Sequence, residues 1–325
     1  MPTNHIVQKP NADSPGVVLA LGGGGARGLA HIGVLQVLEE SHIPVRAVVG
    51  TSIGAQIGAF FASRVSLERL VELSVEMDWK QTLQLFMPDM PGGGLCSGKR
   101  IIRFLNTNLG DYAIEDLATP YIAVATDLQT GEQIILDKGS LTEAIRASIS
   151  MPGLLAPHRL NNRLLMDGAI VNPLPFDVAR QRFGGPVLAV GTHPGARTLN
   201  KQEITESRSV VWLTRLREAL KQPWVKRAEP MRLWLEEQIE SYKKKDNSPK
   251  NSWRTHLILN QVMNITQAQL VRLRAEVDPP DLMLTPDVHR IRPLEFYRGK
   301  EAVQAGRLEA KEKLPQIKKL LNISD

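Results

Sequence analysis

The chain has 325 residues, 42% hydrophobic and 23% charged, a globular balance that excludes collagenous and disordered polymers and leaves room for one large domain or two small ones. Its net charge of +6 at pH 7 leaves nucleic acid, an anionic membrane or plain solubility open as reasons for the excess. A single cysteine, Cys96, excludes an intramolecular disulfide and a cysteine-rich metal site, which fits a reducing cytoplasm.

Residues 1–15 carry neither an apolar nor a basic run and read as a flexible tail rather than a signal peptide. Gly16–Leu21 is an apolar stretch halted by Gly22–Gly25, the pattern of a buried strand ending in a loop. Leu29, Ile32, Leu35 and Leu38 then recur at helical spacing up to Glu40, and Pro44 marks the break before a second strand, Val45–Val49. Ser52 follows at once, and the small residues of Ile53–Ser63, among them Gly54, Ala55 and Gly58, let a helix lie close on a sheet. Strand, helix, strand, helix predicts an α/β fold, a three-layer α/β/α sandwich around a mostly parallel sheet. Tyr121–Thr126 and Gln133–Leu136 flank a turn and predict a hairpin, while Ser140–Glu143 has capping-box spacing and opens a helix that ends before Pro152. Pro186–Gly191 and Asp281–Thr285 read as two later strands.

This organisation predicts a core domain over 16–195, a helical insertion over 196–255 and a closing part over 256–325 that completes the same domain. The insertion is where the charge sits. Lys201–Thr255 holds 13 Lys and Arg against 8 Asp and Glu, which accounts for +5 of the +6, and four of the five tryptophans (Trp212, Trp224, Trp234, Trp253). Helices are expected there around Val211–Leu220 and Trp234–Tyr242. No window reaches the roughly 18 uninterrupted apolar residues of a membrane span, so any membrane contact is expected to be peripheral.

Gly50-Thr51-Ser52-Ile53-Gly54 fits G-x-S-x-G between a strand and a helix, the setting in which small neighbours leave a nucleophilic hydroxyl exposed on a tight turn. Gly23-Gly24-Gly25-Ala26-Arg27-Gly28 fits G-x-G-x-x-G, but the second strand ends in Gly50-Thr51-Ser52, with no acidic residue for a ribose, so a dinucleotide site is not expected. The same glycine loop can serve as an oxyanion hole, with the amides of Gly24 and Gly25 as donors and Arg27 near them for orientation or head-group charge. Gly93–Arg100 is one residue short of a P-loop, has Arg100 where a Ser or Thr belongs, and reads as a loop. For the base, His193, His256 and His289 are the late histidines, and none has a convincing context; Asp167, in Met166-Asp167-Gly168-Ala169, is the better candidate.

Taken together, these blocks resemble the patatin-like phospholipases, in which a glycine loop (here Gly23–Gly28), a G-x-S-x-G elbow (Gly50–Gly54) and a D-G-[GA] segment (Asp167, Gly168, Ala169) come in that order. Ala147-Ser148 with Pro152, and Asn172-Pro173, are similar to two further blocks of the family. The resemblance is close over about Gly16–Gly191, and Pro279–Leu321 looks like the end of bacterial single-domain members; 196–255 shows little of it. It implies a carboxylic ester hydrolase with a Ser52–Asp167 dyad, no histidine, and neither metal nor organic cofactor. Its substrate would be a phospholipid, a lysophospholipid or another acyl-ester lipid. A carboxylate in a water-poor cleft gains the basicity such a dyad needs.

Trp and Lys/Arg on short amphipathic helices favour an anionic lipid surface, so 212–245 is expected to dock the protein peripherally on the inner face of the membrane. A solvated helical hairpin or a dimer contact is the competing reading of that segment. Two other functions stand against the dyad hydrolase: an esterase for soluble esters with a conventional triad through His193 or His289, and a nucleic-acid binder, which would leave Ser52, Asp167 and the glycine loop unexplained.

Overall fold

The computed structural model of the chain describes residues 15–77, 79–86, 96–192, 236 and 255–323. The first strand, β1 (Val17–Leu21), leads through a 3-10 turn at Gly25–Leu29 into α1 (Ala30–Glu40), then β2 (Val45–Thr51) and α2 (Ile53–Ala62). Helices α3 (Leu67–Glu76), α4 (Trp79–Leu85) and α5 (Lys99–Leu109) precede the hairpin of β3 (Tyr121–Asp127) and β4 (Gln133–Leu136). Then come α6 (Leu141–Ser148), a second hairpin of β5 (His158–Leu160) and β6 (Arg163–Asp167), α7 (Phe176–Phe183) and β7 (Val187–Val190). After 193–254, α8 (Thr255–Val277), β8 (Leu282–Leu284) and α9 (Gly299–Leu320) close the sequence.

The eight strands form one sheet in the order β5-β6-β3-β2-β1-β7-β8, with β4 also on β3. The pairs from β3 through β8 are parallel, while β4 and β6 run antiparallel to β3. Both faces are covered, as a parallel sheet of uninterrupted apolar strands requires. Val17, Leu19 and Leu21 pack with α1, α2, α5, α6 and α9 on one side. Val18 and Ala20 pack with α7 and with Val271 and Ala275 of α8 on the other. The α/β/α sandwich expected from the sequence is what forms. The hairpin at Tyr121–Leu136 and the strands near residues 187 and 282 also form, each within a residue or two of its expected bounds.

One register sets up the site. Strand β4 occupies one edge of β3 along Ala123–Thr126, so β2 and β6 must share the other. There Thr51 of β2 lies opposite Val124, and Asp167 of β6 lies opposite the next residue, Ala125. The two strands thus meet end to end, with Ser52, just past the tip of β2, facing Asp167 at the tip of β6.

Helix α9 closes the same side. A Cβ on Gly306 would fall 1.9 Å from the carbonyl oxygen of Ala30, and one on Gly33 would fall 1.9 Å from that of Val303, so α1 and α9 cross backbone against backbone. The chain divides into two units, 1–194 with 266–325, and 195–265. The sandwich belongs to the first; of the second, Glu236 and the start of α8 are described. Residues 1–14 of the expected tail (1–15), the helices at 211–220 and 234–242 and the docking segment 212–245 lie outside the described residues, Glu236 apart.

Candidate active site

Ser52 joins β2 to α2 at φ 56° and ψ −125°, a left-handed conformation that costs a non-glycine residue on the order of 1 to 3 kcal/mol and persists only where neighbours enforce it. The neighbours are on the page. The Thr51 hydroxyl donates to the carbonyl of Asn172 at 2.9 Å, and the Ser52 amide donates to Ser148 Oγ at 2.9 Å, whose own proton goes to the carbonyl of Val124 at 2.6 Å. Gly50 and Gly54 give the turn its room: a Cβ on Gly50 would lie 2.5 Å from the Ala55 backbone, and one on Gly54 2.1 Å from the Leu21 carbonyl oxygen.

The Ser52 hydroxyl donates to Asp167 Oδ2 at 2.6 Å, while Oδ1 accepts from the Ala169 amide at 2.8 Å and caps the short turn Gly168–Ile170. Gly168 is pressed against the sheet, since a Cβ there would meet the Val124 oxygen at 2.2 Å. Asp167 is 4% exposed. Burial lifts its carboxyl from 3.8 to about 6, against the opposing pull of the hydrogen bonds from Ser52 and Ala169. A carboxylate of that basicity, already hydrogen-bonded to a serine hydroxyl, can take up its proton.

The glycine loop passes directly over the pair. A Cβ on Gly23 would sit 3.3 Å from Ser52 Cβ and 3.2 Å from Ala169 Cβ. The amides of Gly22, Gly23 and Ala26 donate to the carbonyls of Val190, Pro173 and Pro293, whereas among the described residues those of Gly24 and Gly25 donate to no backbone carbonyl. They are the unpaired first amides of a helical turn, and φ values of 138° and 61° make both positions ones that glycine suits. Gly28, at the far end of the motif, leaves space for Ile53 of α2, which a Cβ would meet at 2.1 Å.

Arg27 is placed differently from the expectation that it could offer charge to a head group. It is 4% exposed, burial lowers its guanidinium to about 10, and Nε donates to the carbonyl of Ile291 at 3.1 Å. It anchors the glycine loop to 291–293 and presents no cation to solvent. The histidines also sort out. His289 pairs with Asp287; His193 and the side chain of His256 lie outside the described residues. His31, which the sequence did not single out, is fully buried with Nε2 against the Gly22 carbonyl at 2.8 Å, and burial drives it down to about 4. It is neutral at physiological pH and holds the start of the glycine loop.

Two further residues support the site: Ser148, already described, and Asn172, whose Nδ2 donates to Gln133 and Asp177 at 2.8 and 2.7 Å. Asp177 in turn takes Arg274 of α8. Both sit in sequence blocks noted above, but their partners come from strand register and leave no local signal.

Ser52 and Gly25 line a cavity of about 930 Å³, open mouth included, whose walls are otherwise almost wholly apolar. Among the described residues no group of three or more His, Cys, Asp and Glu could hold a metal ion, and no helix is long and apolar enough to cross a membrane.

A family model described as patatin-like phospholipase matches residues 19–180. A Mycobacterium tuberculosis protein named as an uncharacterized NTE family protein is 30% identical over 97% of this chain and 95% of its own length. Human patatin-like phospholipase domain-containing protein 6 is 38% identical over 54% of this chain, a match that spans 13% of the human protein. The crystal structure of VipD from Legionella pneumophila matches with a TM-score of 0.43 at 14% identity, over 95% of this chain and 66% of that one.

Proposed function

The chain belongs to the patatin-like phospholipase family, and on that premise we propose that it is a serine lipid acyl hydrolase working through a Ser52–Asp167 dyad. The observation that carries this reading is the 2.6 Å hydrogen bond from a left-handed serine to a buried carboxylate of raised basicity. Ser52 Oγ attacks the ester carbonyl carbon as its proton moves to Asp167 Oδ2. Negative charge develops on the carbonyl oxygen, and the free amides of Gly24 and Gly25 are its donors. Asp167 passes the proton to the departing alcohol oxygen, leaving an acyl group on Ser52. Water then attacks that ester, giving its proton to Asp167; the fatty acid leaves and Ser52 regains its hydrogen. Every proton in the cycle moves among Ser52, Asp167, water and the leaving alcohol.

The substrate in this reading is a phospholipid, a lysophospholipid or another acyl-ester lipid. The basic, tryptophan-bearing insertion at 196–255 would hold the enzyme on an anionic membrane, on its cytoplasmic face, through 212–245. The test of the core assignment is fluorophosphonate labelling with lipid hydrolysis on wild type, Ser52→Ala, Asp167→Asn and His289→Ala. Loss of both activities in the first two variants, by about a thousandfold or more, is expected, with His289→Ala near wild type. Asp167→Asn retaining activity within about tenfold of wild type, or His289→Ala losing it, would overturn the dyad.

A further inference from the structure

The cavity beside Ser52 has a direction. Its lining at the Ser52 end includes Leu294, which is 45% exposed and follows Pro293, the residue whose carbonyl holds the Ala26 amide. Phe296, next in line, stacks on Phe86 with ring centroids 5.7 Å apart, which places the α4 end beside the same opening. At the other extreme are Ile32, Phe60 and Leu70, each 2% exposed or less and each from a different helix. The cavity thus joins an exposed residue beside the glycine loop to fully buried ones inside the α1–α2–α3 layer, which we take as its mouth and its floor.

Helix α2 gives the depth. Ile53, Gln56, Ile57 and Phe60 all line the cavity, at the spacing of a single helix face. Phe60 comes eight residues after Ser52, so at about 1.5 Å per residue it lies about 12 Å along the axis from the nucleophile. From Gly25 to Ile32, in the facing element, the distance in sequence is seven residues, so both walls end at the same level. An extended chain advances about 1.2 Å per bond, a third of the reach of one extended residue, and 12 Å holds about ten bonds.

We propose that this slot takes one acyl chain of about ten carbons, with Phe60 as the floor that sets the limit and Ile57 lying halfway down. The proposal rests on the hydrolase reading above. It makes the enzyme select by chain length at the scissile ester: each methylene up to the floor finds apolar wall and raises kcat/KM about threefold to fourfold, and a longer chain must fold back or displace Phe60. Among the described residues Gln56 and Ser74 are the polar side chains of the wall besides Ser52, and the Ser74 hydroxyl donates to the Val71 carbonyl at 2.7 Å. Among the described residues no charged side chain lines the slot, which favours a lipid head group staying outside.

The experiment measures inactivation by a series of alkyl fluorophosphonates and hydrolysis of monoacyl esters, from butyl to hexadecyl and from butanoyl to hexadecanoyl. In wild type both rates should climb to the decyl and decanoyl members and fall beyond them. Ile57→Phe should move the maximum to hexyl or shorter, and Phe60→Val should move it to dodecyl or longer. Circular dichroism and stoichiometric labelling by the butyl probe report whether each variant has kept its fold. A wild-type rate that is flat, or that keeps rising to the hexadecyl member, overturns the ruler without any variant. Variants that label but keep the wild-type maximum overturn the roles of Ile57 and Phe60. Failure of every probe to label Ser52 would instead strike the hydrolase reading.

Discussion

Asp167 is held between two demands. Burial raises its affinity for a proton, which suits it to the base role proposed for it, and the hydrogen bonds from Ser52 and Ala169 keep it from rising further. In the proposed role it must be ionised to act, so kcat/KM should fall about tenfold per pH unit below a midpoint near 6, and a profile flat down to pH 5 would count against that role. The stability effect has the opposite sense to that of a salt-bridged carboxylate. In the unfolded chain the group ionises near 3.8 and in the folded protein near 6, so between those values the unfolded state releases its proton first. Stability therefore drops as pH rises across this window, by on the order of 2 to 3 kcal/mol, and stays lower above it. Asp167→Asn should lack that drop, and the gap in Tm between variant and wild type, followed from pH 4 to 8, reads it. At this scale the sequence singled out Ser52 and Asp167 because their signals are local: small residues around one, a turn-forming Gly-Ala after the other. It could not reveal what His31 and Ser148 bind, since their partners lie 9 and 96 positions away in the chain and meet them only through the fold.

The parallel strands were legible because both of their faces are buried, which leaves uninterrupted apolar runs such as Val17–Leu21. Strands β5 and β6 were not. They are short, carry Arg159 and Arg163, and exist as a hairpin because β6 finds the free stretch of β3 beyond the end of β2. That end-to-end meeting is what converts two separate motifs into one site. Nor did any local pattern mark the close crossing of α1 and α9, since Gly33 and Gly306 look like ordinary helix-weakening glycines until their partners are known. Gly306→Leu should force the helices apart, lowering stability by about 1 to 3 kcal/mol or more. Because α9 crosses α1 just after the Gly25–Leu29 turn, fluorophosphonate labelling should also slow by more than about tenfold at temperatures where the variant is folded. Labelling at the wild-type rate would make α9 a stabilising element only.

Across the whole molecule the charge is the feature to explain, with five of six net positive charges carried by 201–255. Composition made that segment visible, but its mixed Trp, Lys and Glu content fits several arrangements. If it docks on lipid, each lysine near an anionic surface contributes about 1 kcal/mol, so Lys243/Lys244/Lys245→Glu should weaken binding by about a hundredfold or more. Co-sedimentation with phosphatidylserine vesicles measures this, and equal partitioning of variant and wild type would remove the idea. The clasp between α1 and α9, with the Ile291–Pro293 supports, has a consequence for the enzyme's birth. Ser52 and Asp167, the proposed nucleophile and base, have both been made by residue 167, yet the supports that seat the glycine loop are more than a hundred codons downstream. At about 5 to 20 residues per second, a ribosome needs on the order of ten seconds to supply them. A nascent chain stopped short of α9 should share the fate of Gly306→Leu, so the site would arm only once α9 has been made and has settled on α1.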